Sequence, residues 1–333
     1  MTDDGRWIQL NGKRYAAPAG KSALDAMREQ GADIAFSCER GVCLTCILQL
    51  ISGDPGQASV GRLPGNYRDL GLFLPCCAMD VHEVKATAPD LTRITHDAMV
   101  AEKQTMPDNL LILRLELVLD IDWQPGQTIE LLNAEGTGRS YSITSRKEED
   151  YFLELHLRVH PRGAVSAWAR ERLRVGDMVQ FRAPSGDFVY REDFRNFPLV
   201  MIGTGTGGGA LLGIAREALA RGHAGPIYLY HGARTHTALY LRSEMEALAA
   251  RDQRLAVAFR TSRDESAGQP SGRISDLALS THPNLDDSVV YLCGNPGMVT
   301  SVRDAALLRG VDPTRIVCDL FEPHGHVTHL RWS

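Results

Sequence analysis

The 333-residue sequence lacks an uninterrupted apolar run of about 18 residues, the length that a membrane-spanning helix needs. Its first ten residues, MTDDGRWIQL, lack the basic stretch and apolar core of a secretory signal, so we expect none there. Positive charge is not in excess, because the net charge of −5 argues against a nucleic-acid-binding protein. A hydrophobic content of 44% is ordinary for a globular chain, and the length predicts two or three domains.

The cysteines lack the second close pair that a zinc site usually contains. Cys38, Cys43 and Cys46 are separated by four and then two residues, and Cys76 follows after another twenty-nine. This is the plant-type [2Fe–2S] spacing, with Gly41 at a sharp turn of the loop. A zinc site or buried thiols are the alternatives. Seven cysteines, four of them reduced cluster ligands, predict the cytoplasm rather than an oxidising compartment.

The segment around these cysteines reads as a small mixed domain. Asn11-Gly12 between two apolar stretches predicts a hairpin. Ser22 predicts the start of a helix that Gly31 ends, and a strand is expected at 47–51. Residues 57–71 show no period and predict a loop over the cluster. The order of hairpin, helix, ligand loop and strand resembles a β-grasp plant-type ferredoxin.

Two residues depart from that resemblance. Leu44 stands where relatives often have glycine, which removes some backbone freedom near the sulfurs. Cys77 follows Cys76 directly, so the fourth ligand is ambiguous by one residue. The ferredoxin spacing favours Cys76 and leaves Cys77 as an additional thiol.

Residues 85–95 are polar and contain Pro89, which predicts a linker. Beyond it, short strand-like runs separated by turn residues predict a small antiparallel barrel, and they lie at 109–118, 127–132, 139–144, 152–159 and 178–182.

Arg139-Ser140-Tyr141-Ser142 resembles the R-x-Y-[ST] motif of ferredoxin–NADP reductases. An arginine can neutralise a flavin pyrophosphate, a tyrosine ring can pack on the flavin, and a serine hydroxyl can bond near N5. The resemblance continues through residues 157–166, where a glycine turn and a helix N-terminus serve the diphosphate, and through residues 184–188, which match P-x-G-x-F. It implies that eight residues bind FAD: Arg139, Tyr141, Ser142, Leu157, Val159, Gly163, Val165 and Ser166.

From Phe197 onward, apolar strands alternate with helices, which predicts a parallel sheet. A strand at 199–202 leads into the glycine-rich loop 203–209 and a helix. The loop contains G-x-G-x-x-G, but the acidic residue of a dinucleotide fingerprint is missing. It better resembles the reductase pattern G-G-T-G-x-A-P and keeps Thr206 and Gly207. Gly208 and Ala210 replace a large residue and a proline, which predicts a softer loop.

The same resemblance places a coenzyme site in this last segment. Cys293 and Gly294 match residues near the nicotinamide ring, and Phe321 matches an aromatic that covers the flavin and must yield to nicotinamide. Ser262-Arg263 resembles a grip on the NADPH 2′-phosphate, whereas most flavin–ferredoxin fusions serving oxygenases use NADH. NADH is therefore slightly favoured, with Arg263 as the deciding residue. His324, His326 and His329 predict a solvated tail rather than a metal site.

Nearly the whole chain resembles the fused ferredoxin–flavin reductases of bacterial multicomponent oxygenases, such as those of benzoate dioxygenase, phenol hydroxylase and methane monooxygenase. The resemblance implies a β-grasp ferredoxin domain at 1–88, a linker at 89–96, a six-stranded flavin-binding barrel at 97–193 and a parallel α/β domain at 194–333. It implies ligation of the cluster by Cys38, Cys43, Cys46 and Cys76, and coenzyme contacts by Thr206, Gly207, Arg234, Ser262, Arg263, Cys293, Gly294 and Phe321. Ser142, Cys293 and Phe321 would be the catalytic residues.

The implied activity is transfer of electrons from NAD(P)H through FAD and the cluster to a terminal oxygenase, by a monomer that binds neither nucleic acid nor membrane. Two alternatives remain. The acceptor could be a haem monooxygenase or a deoxysugar dehydratase, since the electron-transfer residues would be the same. From a different class, the chain could be a redox sensor or electron-carrier module, which only the altered glycine loop favours.

Overall fold

The computed structural model describes residues 6–36, 38–42, 44–63, 65–90, 94–263 and 271–321, which form three successive β-sheets. Each sheet has its own hydrophobic core, and the third sheet has one on each face. Separate cores are what separate domains require. None of the described helices is long and apolar enough to span a bilayer. The histidines of the predicted tail lie outside the described residues.

The first sheet contains five strands: β1 (Trp7–Leu10), β2 (Lys13–Ala16), β3 (Leu48–Asp54), β4 (Leu72–Phe73) and β5 (His82–Thr87). Their order is β2-β1-β5-β3-β4, with β1 and β5 parallel and the other pairs antiparallel. Asn11 and Gly12, at φ of 49° and 86°, connect β1 to β2, which confirms the predicted hairpin.

Helix α1 (Ala23–Glu29) packs on this sheet through Ala23, Leu24, Ala26 and Met27. The Ser22 hydroxyl accepts a hydrogen bond from the Asp25 amide, which confirms the predicted cap. The prediction of an unstructured loop at 57–71 was wrong, because the segment contains α2 (Gln57–Val60) and α3 (Gly65–Asp69). Each helix is too short to produce a hydrophobic period in the sequence.

The second sheet contains six antiparallel strands: β6 (Thr95–Met106), β7 (Leu110–Leu117), β8 (Thr128–Leu132), β9 (Gly138–Ser142), β10 (Leu153–Arg158) and β11 (Met178–Ser185). Their order is β10-β7-β6-β11-β8-β9. The edges β9 and β10 approach each other at one isolated bridge, Ile143 to Leu155. The predicted six-stranded antiparallel architecture is confirmed, but within the described residues the sheet is not a fully closed barrel.

The longest strand of this sheet, β6, was missed from the sequence. It pairs with both β7 and β11, yet most of its twelve residues are at least partly exposed. Its polar composition hid the alternation that predicts a strand. Helix α4 (Ala164–Glu171) begins within the segment where a helix N-terminus was predicted, and it packs Val165 and Ala169 into the core of the same domain.

The third sheet is parallel, with order β14-β13-β12-β15-β16. Its strands are β12 (Leu199–Thr204), β13 (Ile227–Ala233), β14 (Leu255–Thr261), β15 (Val289–Gly294) and β16 (Ile316–Leu320). The helices that connect them are α5 (Gly207–Ala220), α6 (Arg242–Arg251), α7 (Ile274–Thr281) and α8 (Pro296–Leu308). Every residue of β15 is buried, as expected when helices cover both faces of a parallel sheet.

Candidate functional site

One cleft of about 1240 Å³ lies where the three domains meet. It is bordered by β9 and the start of α4, by the carboxyl ends of β12, β13 and β15, and by residues 38–42. In open parallel sheets, ligands bind at the carboxyl ends of the strands. The volume exceeds the roughly 300–1,000 Å³ of a pocket for one drug-sized ligand, which suits two nucleotide cofactors side by side.

Strand β9 carries the predicted flavin motif along the cleft wall. Arg139, Tyr141 and Ser142 all line the cleft. Desolvation raises the pKa of Tyr141, so its hydroxyl stays neutral. Ser142 is nearly buried, and its hydroxyl donates to Oδ2 of Asp319 over 3.1 Å. The motif therefore presents a cation, an aromatic ring and an oriented hydroxyl to one space.

The first turn of α4 forms the second part of the flavin wall. Gly163 is the cap residue of this helix, and a Cβ there would lie 2.5 Å from Ser166 Oγ. The Ser166 hydroxyl itself accepts from the His160 amide over 3.1 Å. Unpaired amides at a helix start suit a diphosphate. By contrast, the side chains of Leu157 and Val159 pack in the domain core and do not line the cleft.

The ends of β12, β15 and β16 bring the predicted nicotinamide residues together. A Cβ on Gly207 would lie 2.6 Å from the Cys293 carbonyl oxygen, so only glycine fits there. Burial raises the pKa of Cys293, and its thiol remains protonated behind the cleft wall. The Phe321 amide donates to the Gly294 carbonyl over 2.9 Å. Thr206, Gly294 and Phe321 line the cleft itself.

Two imidazoles pack against the glycine loop, which argues against the predicted softness. A Cβ on Gly208 would lie 2.6 Å from the His231 ring, and one on Gly209 would lie 2.4 Å from Nδ1 of His156. His231 is fully buried, and burial lowers its pKa to about 4, so Nε2–H of the neutral ring donates to the Gly205 carbonyl. The unusual glycines therefore make room for histidines from other strands.

His156 also links the second domain to the third. Its Nε2 lies 3.0 Å from Glu154 Oε1 and its Nδ1 lies 2.8 Å from the Tyr240 hydroxyl. Burial alone would raise the pKa of Glu154, but hydrogen bonds from His156 and Arg114 lower it to about 2. The ionised Glu154 accepts a hydrogen bond from Nε2–H of His156, and the other ring nitrogen of His156 faces the Tyr240 hydroxyl.

Arginines line the end of the cleft near β13 and β14. Arg234, Ser262 and Arg263 were predicted there, and Arg260 and Arg273 join them. Asp264 of the same segment lies outside the described residues. Arginines suit a phosphate dianion because their guanidinium groups bond bidentately.

Sequence reasoning missed Asp319 and Arg40, which both line the cleft. Asp319 is the one carboxylate of the apolar strand β16, and that isolation in the sequence was the available signal. Burial raises its pKa to about 6, although Arg40 and the Ser142 hydrogen bond act in the opposite direction. Arg40 Nη2 donates to the Leu320 carbonyl over 3.2 Å, so the cysteine loop touches the last strand.

The described cysteines of the first domain converge on one place. The amides of Arg40 and Val42 each donate to Cys38 Sγ over 3.4 Å, which suits a thiolate ligand. A hydrogen bond with Cys46 is the main cause that raises the pKa of Cys76. Cys43 lies outside the described residues, and the described His, Cys, Asp and Glu side chains form no metal-binding group of three without it.

Two details of the cysteine loop concern the departures found in the sequence. Leu44 has a φ of 60° and is almost fully buried, so this position adopts the left-handed conformation that glycine prefers. Cys77 Sγ lies 3.8 Å from Cys76 Sγ, and a Cβ on Gly41 would lie 2.5 Å from it. Cys76 therefore faces Cys46, while Cys77 packs against the turn at Gly41.

The fold and cleft define a class, a reductase that joins a nicotinamide site and a flavin site to an iron–sulfur domain. In chain order the sequence matches the 2Fe-2S iron-sulfur cluster binding domain at 8–79, the oxidoreductase FAD-binding domain at 97–190 and the oxidoreductase NAD-binding domain at 201–304. These matches confirm the predicted fold class and cofactor domains.

Full-length relatives share this arrangement. The reductase subunit of an aromatic O-demethylase from Amycolatopsis sp. is 32% identical over 329 residues, covering 95% of this chain and 98% of the relative. The naphthalene 1,2-dioxygenase system ferredoxin–NAD(P)+ reductase component of Pseudomonas putida is 30% identical over 326 residues, covering 96% and 98%. The crystal structure of the Amycolatopsis cytochrome P450 reductase GcoB superposes with a TM-score of 0.68 at 30% identity, covering 96% and 99%. The chain belongs to this family of fused ferredoxin–flavin reductases of oxygenase systems.

Proposed function

We propose that this protein passes electrons from NAD(P)H through FAD and a [2Fe–2S] cluster to a terminal oxygenase of the Rieske or diiron type. The observation that best supports the route is the shared cleft, which Ser142, Gly294 and Phe321 line together with Cys38 of the cysteine loop. When bound, the cofactors would supply the redox chemistry, in which the two electrons of one hydride from NAD(P)H are released one at a time because the cluster stores only one.

For the flavin, we assign three roles to the motif on β9. Arg139 neutralises the pyrophosphate, Tyr141 packs on the ring system, and Ser142 bonds near N5. Gly163 and Ser166 offer the start of α4 to the diphosphate. Leu157 and Val159 have side chains in the domain core, so we assign them to shaping the wall from behind. Val165 belongs to the same core and also lines the cleft, so we assign it to the wall itself. What supports these roles is the common cleft that Arg139, Tyr141 and Ser142 line.

For the nicotinamide, we assign positioning to Thr206, Gly207, Cys293 and Gly294. Gly207 packs closely on Cys293 and so fixes the position of the cleft wall. The protonated Cys293 thiol adds no charge near the nicotinamide ring. Phe321 covers the flavin face and must move when nicotinamide enters. Ser142, Cys293 and Phe321 are thus the residues we place at the hydride-transfer site.

For the cluster, we propose Cys38, Cys43, Cys46 and Cys76 as ligands. The facing positions of Cys76 and Cys46 support this choice over Cys77. Three of the four thiolates would come from one loop and the fourth from a distant residue, as the plant-type spacing requires.

The cleft contains residues that suit either coenzyme. Family usage slightly favours NADH, whereas four cleft arginines, Arg234, Arg260, Arg263 and Arg273, suit the 2′-phosphate of NADPH. Among these, we assign the choice between the two coenzymes to Arg263 with its neighbour Ser262.

Steady-state oxidation of NADH and NADPH by the purified protein tests the function, with ferricyanide and cytochrome c as two artificial acceptors. Ferricyanide can draw electrons from the flavin, whereas cytochrome c reports electrons that leave through the cluster. We expect activity with both. Absence of NAD(P)H oxidation in protein that holds FAD and cluster would favour a redox sensor or carrier module instead.

A haem monooxygenase is the second candidate acceptor. One relative is the reductase subunit of an aromatic O-demethylase, and the superposed crystal structure is of a cytochrome P450 reductase. Reduction assays against a Rieske oxygenase, a diiron hydroxylase and a P450 under NAD(P)H would rank these acceptors directly.

We propose domains at 1–88, 97–193 and 194–333 with a linker at 89–96, although strand β6 already begins at Thr95. We also propose a monomeric state and a cytoplasmic location, with neither nucleic acid nor membrane as a partner. The reduced cysteines support the location, and the separate cores support the division into domains.

A further inference from the structure

The loop that carries the cysteines, residues 38–46 and here called the cluster loop, is bonded to the flavin domain on both sides of Cys43. On the N-terminal side of Cys43, the Val42 carbonyl accepts a hydrogen bond from the Ser185 hydroxyl over 2.6 Å. On its C-terminal side, the Thr45 hydroxyl donates to Glu130 Oε1 over 3.1 Å. These bonds run from the first domain to β11 and β8 of the second. The flavin domain therefore binds the cluster loop on both sides of Cys43, which is one of the proposed cluster ligands.

Glu130 is itself fixed by a buried ion pair with Arg182. The two side chains are 3% and 2% exposed, and the two residues are direct neighbours across β8 and β11. One carboxylate oxygen accepts from Arg182 Nη1 and the other accepts from Thr45. A Cβ on Gly138 would lie 2.4 Å from this carboxylate, so the backbone of β9 confines it from the third side.

Buried charges are costly unless they are paired and oriented, so this arrangement needs a reason. The pair gives the flavin domain one rigid, charged acceptor that points at the cluster loop. Thr45 is 7% exposed and follows Leu44, whose left-handed backbone turns the chain at that point. A hydrogen bond to an ionised group is about twice as strong as one between neutral groups. The contact is thus directional and protected from water.

We propose that Thr45, Glu130 and Arg182 form a docking network that positions the cluster loop on the flavin domain and thereby sets the rate of electron transfer from flavin to cluster. The proposal rests on the proposed function, because it concerns a step within that route. With both cofactors bound, one electron would pass from the reduced flavin to the oxidised cluster, and no bond would be made or broken. Its rate falls steeply with distance, so small displacements of the loop matter.

The test compares Thr45→Val with Thr45→Ser in the full-length holoenzyme. Valine keeps the shape and removes the hydroxyl, whereas serine keeps the hydroxyl and is the matched control. For valine we expect flavin-to-cluster transfer, followed by stopped-flow absorbance, to slow by up to about 10-fold, because losing one hydrogen bond to a charged group lowers the population of the docked loop by up to that factor. Cytochrome c reduction should fall with it, while NAD(P)H–ferricyanide activity stays unchanged. Serine should restore the wild-type rate.

Two readouts do not depend on turnover. The visible absorbance and the electron paramagnetic resonance spectrum of the cluster should match wild type in both variants, because no ligand is changed. Amide hydrogen exchange in Thr128–Leu132 should accelerate in Thr45→Val only, since the docking contact is lost there. A loss of cluster in Thr45→Val would overturn the proposal, because Thr45 would then serve ligation rather than docking.

Wild-type rates of flavin-to-cluster transfer in Thr45→Val would also overturn the docking proposal while leaving the proposed function intact. Failure of wild type to oxidise NAD(P)H would instead remove the function itself. The double variant Glu130→Gln with Arg182→Met is a second test of the network. Both residues are replaced together so that neither charge remains buried without its partner. If it folds with full flavin and cluster, it should slow the same step without changing ferricyanide reduction. An unchanged rate in that variant counts against the network.

Discussion

The cluster loop and the glycine-rich loop after β12 approach the cleft from opposite domains, and each departs from the family pattern. In the cluster loop, Leu44 takes a left-handed conformation that glycine would adopt more easily. In the other loop, Gly208 stands where a large residue is usual, and the rings of His231 and His156 pack against Gly208 and Gly209. The cluster loop contains a residue with a strained backbone conformation. The glycine-rich loop lacks side chains at the positions where the histidine rings pack.

This difference shows how far each loop depends on its surroundings. The cluster requires this spacing of its cysteine ligands, and the strained backbone at Leu44 leaves the spacing unchanged. The glycine loop has no such requirement, and its shape depends on side chains from β10 and β13 that lie far along the chain. We therefore expect the function of the cluster loop to be most sensitive to loss of a cysteine ligand. We expect the glycine loop to be most sensitive to added side-chain volume.

Cys76→Ser should have the largest effect. Loss of the fourth thiolate should abolish the visible absorbance of the cluster and the reduction of cytochrome c, while NAD(P)H–ferricyanide activity persists through the flavin. Cys77→Ser is the matched control and should keep both activities. Intact iron–sulfur bands in Cys76→Ser would transfer the ligand role to Cys77.

Arg139→Ala should affect the flavin rather than the cluster. Losing a charge-assisted contact with the pyrophosphate should weaken FAD binding by about 10- to 100-fold, so the variant should purify largely without flavin. The flavin-to-protein ratio after purification and titration with FAD measure this. Full occupancy would contradict the role assigned to Arg139, and the iron content should remain at the wild-type value in either case.

Gly209→Ala tests the packing of the glycine loop. Its methyl group would overlap His156, which two hydrogen bonds hold in place, so we expect destabilisation of about 1–3 kcal/mol and slower flavin reduction by NAD(P)H. Gly65→Ala is the control, because a methyl there would come no closer than 3.7 Å to another group. Thermal melting and single-turnover reduction measure the two effects, and equal behaviour of both variants would show that the loop is soft after all.

Arg263→Ala should have the smallest effect, confined to the choice of coenzyme. If Arg263 contacts the 2′-phosphate, the KM for NADPH should rise by about 10-fold while that for NADH stays constant. Steady-state kinetics with both coenzymes, at one ionic strength, give the answer. The assignment fails if neither constant changes.

Much of the fold followed from local patterns. The hairpin at Asn11-Gly12, the Ser22 cap and the alternation of apolar strands and helices after Phe197 all rest on short-range preferences. The misses have a common cause. The two short helices of 57–71 and the polar strand β6 are stabilised by tertiary contacts, so they leave no period in the sequence.

The sequence by itself determined the order of the three domains, the ligand spacing and the flavin motif, because each depends on residues close together in the chain. Only the tertiary structure decided that Asp319 lies against Ser142, that imidazoles fill the space beside Gly208 and Gly209, and that Thr45 reaches Glu130. These pairs are separated by up to 177 residues. Contacts of that kind arise when separate cores pack together, and no local preference encodes them.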